Sequence, residues 1–247
     1  MTSISSETLT VALQDPRTRE VFNEAVRLAM RSSGFGATEG SFDIDSLNVL
    51  VGGIESQQYA QTHMGKAQRF ANRIELLQFA ATQIIVSGPI LEFGVFSGET
   101  INTLATALPG RQAFGFDSFE GLPESWAGLD KGHFSTKKNL PFVQPNVELV
   151  VGWFDETLPK FLRTHEIDQV PLLHIDCDLY SSTKTVFRVL GDRVRSGTII
   201  VFDEYFNYPG WRMHEYLAFQ ELVKYRSISY EYIGISPQYQ HVCVRIL

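Results

Sequence analysis

From residue 89 onward, short apolar runs alternate with stretches in which apolar residues return every third or fourth position. The runs at Ile90–Val95, Ala113–Phe116, Val147–Val151, Leu172–Ile175, Thr198–Phe202, Ser229–Ile233 and His241–Ile246 read as strands. Between most of them, Glu99–Leu108, Asp155–Arg163, Ser181–Leu190 and Trp211–Tyr225 read as helices. Continuous apolar strands suit a sheet covered on both faces, and strand–helix alternation implies right-handed crossovers. Only Gly234–Gln240 separates the last two runs, so they form a hairpin and the final strand runs antiparallel. The pattern therefore predicts an α/β fold: a doubly wound, mostly parallel seven-stranded sheet with an antiparallel last strand.

Upstream the pattern changes. The Ser/Thr-rich start reads as frayed, and Asp15-Pro16 as the cap and first position of a helix carrying Val21, Phe22, Ala25, Val26, Ala29 and Met30. Gly34 reads as its stop, and Gly34 to Gly53, rich in Gly, Ser and Asp, as a loop. A second helical stripe runs from Gln68 to Ile85. The expected organisation is an N-terminal helical extension over residues 1–60 and a main domain over 61–247. Helices ahead of such a sheet suggest a homo-oligomer.

Composition narrows the function classes. A hydrophobic content of 44% and a charged content of 20% are ordinary for a globular chain of 247 residues. A net charge of −7 without a basic run argues against a nucleic-acid partner. Cys177 and Cys243 lie in strand-like runs and form no CxxC pair, which fits a reduced, cytoplasmic setting. No apolar run reaches membrane-spanning length and the N-terminus does not read as a signal peptide, so no membrane association is expected.

The candidate chemistry sits where two apolar runs end in acid. HIDCDLYSST (His174 to Thr183) places Asp176 and Asp178 past one strand, and VFDEY places Asp203 and Glu204 past another. Open α/β sheets bind ligands at this carboxyl edge. Acids converging there repel unless a positive charge lies between them, and their oxygens suit a hard divalent cation. The plainer alternative is that each acid caps the helix that follows. On an extended segment Asp176 and Asp178 point the same way, whereas Asp203 and Glu204 share one ion only if the chain turns after them.

At the other end, LEFGVFSGET (Leu91 to Thr100) reads as strand, glycine turn and helix start, where Gly94 and Gly98 admit a ligand close to backbone. Phe96 breaks the GxGxxG dinucleotide fingerprint. Asp117 ends the next strand, a position that commonly takes ribose hydroxyls. Trp153 or Phe154, after the third strand, can stack on a purine. In strand order these features describe a slot for a nucleoside with a small charged tail.

LEFGVFSGET, FDSFEGLP, VGWFDETLP, IDCDLYSST and IVFDEYFNYPGW together resemble the macrocin O-methyltransferase family, over roughly Thr62 to Tyr216. The resemblance implies a class I, Rossmann-like methyltransferase using S-adenosylmethionine and Mg2+ (or Mn2+) on a hydroxyl of a sugar or other small secondary metabolite. It implies that Glu92, Gly94 and Phe96 line the methionine side, and that Asp117 and Ser118 hold the ribose. Gly121, Trp153 and Asp176 complete the cofactor slot, and Thr62 and His63 belong to a segment folding over it. Asp176, Asp203 and Glu204 match the metal ligands, and Asp178 the general base. Glu204 stands where the family usually has aspartate. The stretch after FDSFEGLP is shorter than in the antibiotic enzymes, and Trp126, His133 and Phe134 in it would face the acceptor, with His214 reaching the same pocket.

Two other readings stay open at this point. A metal-dependent oxygenase on the same scaffold would want two histidines and a carboxylate, which these strand ends do not offer, His174 reading as a core residue. A catalytically inactive cofactor-binding scaffold would differ by binding S-adenosylmethionine without turning it over.

Overall fold

The computed structural model describes residues 15–18, 20, 21, 24 and 43–247. The expected frayed start, most of the expected helix to Met30, and the loop from Gly34 to residue 42 lie outside the described residues. Asp15 does cap as expected: its Oδ2 accepts from the Thr18 backbone N–H at 2.8 Å. The chain divides into two compact units, residues 1–51 and 52–247.

The expected loop up to Gly53 is corrected in part. A helix, α1, spans Ile44–His63, with Gly52 and Gly53 inside it. Its start is tied by Asp43, which accepts from the Asp45 N–H and the Ser46 hydroxyl. Gly52 is required there by close approach, since a Cβ would lie 2.8 Å from the Tyr208 carbonyl carbon. Ser56 Oγ then accepts from the Asn207 N–H at 2.8 Å, fixing the second half of α1 to the segment after the acid pair.

The sheet has eight strands, not seven: β1 Gln68–Arg69, β2 Ile90–Phe93, β3 Ala113–Asp117, β4 Val147–Val151, β5 Leu172–Ile175, β6 Ile199–Phe202, β7 Tyr230–Ile235 and β8 Val242–Ile246, in the order β1-β7-β8-β6-β5-β2-β3-β4. The extra strand, β1, adds two residues in parallel to the edge at Gly234 and Ile235. It falls where a helix was expected because that helix, α2 (Arg73–Thr82), starts later. Asn72 accepts from the Glu75 N–H at 3.0 Å while the Glu75 carboxylate reaches back to the Ala71 N–H, a capping box that sets the boundary.

The other strands and helices expected after residue 89 are found. Helices α3 (Glu99–Ala107), α4 (Phe154–Thr164), α5 (Tyr180–Leu190) and α6 (Glu215–Arg226) follow their predicted stretches. Strand β8 runs antiparallel to both β6 and β7, and all other pairs are parallel. Every residue of β2, β5 and β6 is buried, which explains the continuous apolar runs. One apolar cluster holds Phe93, Phe116, Ile175, Phe202 and Phe219, and the other holds Leu76, Ile90, Leu104 and Val201.

A tyrosine node ties α1 and the acid-bearing segment to β7. The Tyr232 hydroxyl lies 2.7 Å from that of Tyr59 and 2.6 Å from that of Tyr205, with Tyr230 at 3.3 Å. Among the described residues, no helix is long and apolar enough to cross a membrane.

Candidate active site

The ends of β2, β3, β5 and β6 open into one cavity of about 610 Å³. Of the predicted site residues, Gly94, Phe96, Asp117, Ser118, Gly121, Phe134, Trp153, Asp176, Asp178, Asp203 and Glu204 line it. The sheet explains the convergence. His174 pairs with Val201 and Ile175 with Phe202, so Asp176 and Asp203 emerge side by side one step later.

The cofactor side is built on the turn after β2. Gly94 has φ 94°, and a Cβ there would lie 1.6 Å from the Asp176 carbonyl oxygen, so only glycine lets this turn abut the end of β5. The Asp117 carboxylate holds the same turn. Its Oδ2 accepts from the Val95 and Phe96 N–H groups at 2.8 and 2.9 Å, and its Oδ1 from the Phe119 N–H at 2.7 Å. Trp153 precedes α4 without a side-chain cap, leaving free N–H groups at that helix start.

Other predicted residues lie off the cavity wall. Glu92 is wholly buried beneath it, accepting from the Thr100 hydroxyl at 3.0 Å and facing His174 Nδ1 at 2.8 Å. Thr62 and His63 end α1 away from the cavity, with the His63 ring against Tyr59. Trp126 and His214 form an aromatic group with Tyr208, ring centres 5.9–6.2 Å apart, while His133 packs on Phe134.

The acid end is crowded. Asp178 takes φ 61°, so the segment after β5 is not the extended one expected, yet both Asp176 and Asp178 reach the cavity. The chain does turn after β6, as required for Asp203 and Glu204 to face one space. Burial pushes the Asp176 and Glu204 carboxyls well above the usual range, and the Asp203 charge pushes them further. Burial and Asp203 push Asp178 up to about 7. Burial opposes the Asp203 charge as well, but the facing imidazoles of His174 and His241 outweigh it and hold that carboxyl low. For His174, burial disfavours the charge, but Asp203 and Glu92 outweigh it and raise the ring to about 10.

Several members of this constellation have no signal in the sequence. Arg73, first in α2, reaches Asp203 at 3.5 Å and Asp176 at 4.0 Å and also pairs with Glu99. His241 Nδ1 lies 3.0 Å from Asp203 Oδ1. Glu215 is wholly buried and its Oε2 accepts from the Glu204 N–H at 3.2 Å. Only the tertiary packing of α2, α6 and the approach to β8 around the strand ends brings these side chains to the acids. Among the described residues, Glu204 Oε2 and Glu215 Oε1 are buried without a hydrogen-bond donor. Oxygen atoms left bare in this way, with ligand atoms of His174, Asp176 and Asp203 all within 4.8 Å of one another, fit a divalent cation.

The sheet order and the ligand-binding edge define a class I methyltransferase of Rossmann-like fold. A sequence profile of the family described as Macrocin-O-methyltransferase (TylF) matches residues 50–227. The chain belongs to that family, as its motifs imply. It is 26% identical over 164 residues to the demethyldecarbamoylnovobiocin O-methyltransferase of Streptomyces niveus, covering 56% of this chain and 61% of the relative. It is also 26% identical over 160 residues to the 8-demethyl-8-(2,3-dimethoxy-alpha-L-rhamnosyl)-tetracenomycin-C 4'-O-methyltransferase of Streptomyces olivaceus, covering 54% and 60%. The solved structure of the O-methyltransferase NovP matches with a TM-score of 0.53 at 25% identity, over 70% of this chain and 78% of that one. The chain thus spans about three fifths of the length of the curated relatives it matches.

Proposed function

We propose that the protein transfers a methyl group from S-adenosylmethionine to a hydroxyl of a sugar carried by, or destined for, a small secondary metabolite, with help from a divalent cation. The observation that carries this reading is the convergence of Asp176, Asp178, Asp203 and Glu204 on the cavity that also holds the glycine turn and Asp117. The names of the relatives support an O-methyltransferase and a sugar acceptor.

In this reading Gly94 and Phe96 take the methionine portion of the cofactor above buried Glu92, Asp117 and Ser118 take the ribose, and Gly121 and Trp153 flank the base. Asp117 fits because three N–H bonds leave part of its accepting capacity free. When bound, S-adenosylmethionine supplies an electrophilic methyl, and the cation lowers the pKa of the acceptor hydroxyl. Asp176, Asp203 and Glu204 hold the cation, and Arg73 balances their charge from the cofactor side. Asp178 accepts the hydroxyl proton, its raised pKa bringing it near the working pH. Phe134 bounds the acceptor, with His133 packed behind it and the Trp126–His214 pair beyond the wall. A homo-oligomer belongs to the same reading, supported by exposed apolar side chains on α1 such as Ile44, Val49 and Ile54.

Calorimetric titration tests it: S-adenosylhomocysteine first, then sugar acceptors with neighbouring hydroxyls, each with and without Mg2+, on wild type and Asp203→Ala. Cofactor binding with acceptor binding that needs both metal and Asp203 is the expected result. Metal-independent acceptor binding would remove the cation from the reading, and absence of cofactor binding would sink it entirely.

A further inference from the structure

Under the acid end lies a buried group that the steps above leave unused. His174, in the middle of β5, is wholly buried. Its Nδ1 lies 2.8 Å from Glu92 Oε2, and the other Glu92 oxygen accepts from Thr100 at the start of α3. With Glu92 an acceptor, Nδ1 carries the proton between them, and a cation taken at Nε2 replaces the second proton of a charged ring. The opposite nitrogen, Nε2, is buried without a hydrogen-bond partner among the described residues. It faces Asp203 Oδ1 at 3.9 Å, too far for a hydrogen bond.

This arrangement has a recognised physical purpose. A histidine bound to a metal almost always donates its other N–H to a carboxylate, a backbone carbonyl or water, which fixes the tautomer and the ring orientation. Here Glu92 is that carboxylate, and Thr100 fixes Glu92 in turn. The 3.9 Å between Nε2 and Asp203 Oδ1 is too long for a hydrogen bond but short enough for one ion to be held by both. Ligand atoms of His174, Asp176 and Asp203 form the compact set within 4.8 Å, so His174 takes the place that the reading above gives to Glu204.

We propose that His174 binds the divalent cation directly through Nε2, together with Asp176 and Asp203. The proposal rests on the cation-dependent reading above and changes the identity of the ion. An all-oxygen set suits Mg2+, whereas an imidazole ligand shifts preference toward first-row transition ions. The site therefore selects Mn2+ or Co2+ over Mg2+ at equal concentration.

Pulsed electron paramagnetic resonance of Mn2+ added to the full chain tests the assignment, alongside Mn2+ and Mg2+ affinities. The expected result is nitrogen-14 modulation from an imidazole, with Mn2+ bound at least tenfold more tightly than Mg2+. His174→Gln should lose the modulation and at least tenfold in Mn2+ affinity while still binding S-adenosylhomocysteine, because His174 does not line the cavity. Should that variant fail to fold, His241→Asn decides. Modulation that survives belongs to His174, and modulation that disappears belongs to His241 and overturns the proposal. Bound Mn2+ with no nitrogen signal in the wild type would overturn it while leaving a carboxylate-held cation in place. No bound Mn2+ at all would overturn it and the cation reading together.

Discussion

Asp178 sits in left-handed backbone at φ 61°, a conformation that costs a non-glycine residue about 1–3 kcal/mol. Strain of that kind persists where the surroundings over-determine a side chain's position, and here the carboxyl lines the cavity. Asparagine tolerates the same backbone, so Asp178→Asn separates chemistry from folding. Turnover should fall about 10²–10⁴-fold with S-adenosylhomocysteine affinity within twofold of wild type, measured by methyl transfer and calorimetry. The acid must be ionised to accept a proton, and its pKa stands at about 7 with no cation or cofactor beside it. Bound positive charges lower it. The wild-type rate should therefore rise with pH and level off by about pH 7; a rate that declines between pH 5 and 7 would remove Asp178 as the base. Gly94→Ala probes the neighbouring turn. A Cβ meeting the Asp176 carbonyl at 1.6 Å forces the two strand ends apart, and we expect a loss of roughly 3 kcal/mol together with loss of cofactor binding.

Between elements, hydroxyl and charge contacts add to apolar packing at two junctions. Tyr232 links Tyr59 of α1 and Tyr205 of the acid-bearing segment through hydrogen bonds of 2.7 and 2.6 Å. Tyr232→Phe leaves both partners buried with fewer bonds, so chemical denaturation should show a loss of about 1–3 kcal/mol. Asp192, in the turn after α5, pairs with Arg226 at the end of α6, and the pairing lowers its pKa. A depressed carboxylate adds stability above its unfolded pKa and loses it as pH falls through the folded one. The Tm difference between wild type and Asp192→Asn should thus shrink as pH drops below 3.8 and also as salt rises. How far elements were legible depended on what held them. Strands β2, β5 and β6 announce themselves because both faces are buried, and α2 was misplaced only at its ends, where a capping box decides. Helix α1 was missed because Gly52 and Gly53 read as breakers, and the reason for Gly52, contact with Tyr208, is tertiary.

At the scale of the whole molecule, the site is legible where one strand end carries its own acids and illegible where packing brings in partners from other elements. Asp176, Asp178, Asp203 and Glu204 follow directly from apolar runs that end in acid. Arg73, His241 and Glu215 come from three other elements, and His174 looks like core until Glu92 is seen across from it on β2. A cofactor bound across β2, β3 and β5 should stabilise the whole sheet by mass action. At a hundredfold excess over Kd, S-adenosylhomocysteine should add about 2.7 kcal/mol, or roughly 5–11 °C in Tm by scanning calorimetry. A Tm that does not move would count against cofactor binding by the folded chain.

The segment from residue 118 to 146, between β3 and β4, has a different character from the strands beneath it. It contains no helix or named strand, and its turns close largely on themselves, as in the paired N–H···O bonds between Trp126 and Leu129. Ala127, Phe134, Lys137 and Lys138 all adopt positive φ within it. Past Gly121 such a segment is a roof pinned at a few points, Glu124 to Ser181 and Phe142 and Gln144 to Asn102. Recombination between related chains that keeps those pins can exchange the roof between them, changing what the cavity admits without disturbing the acids beneath.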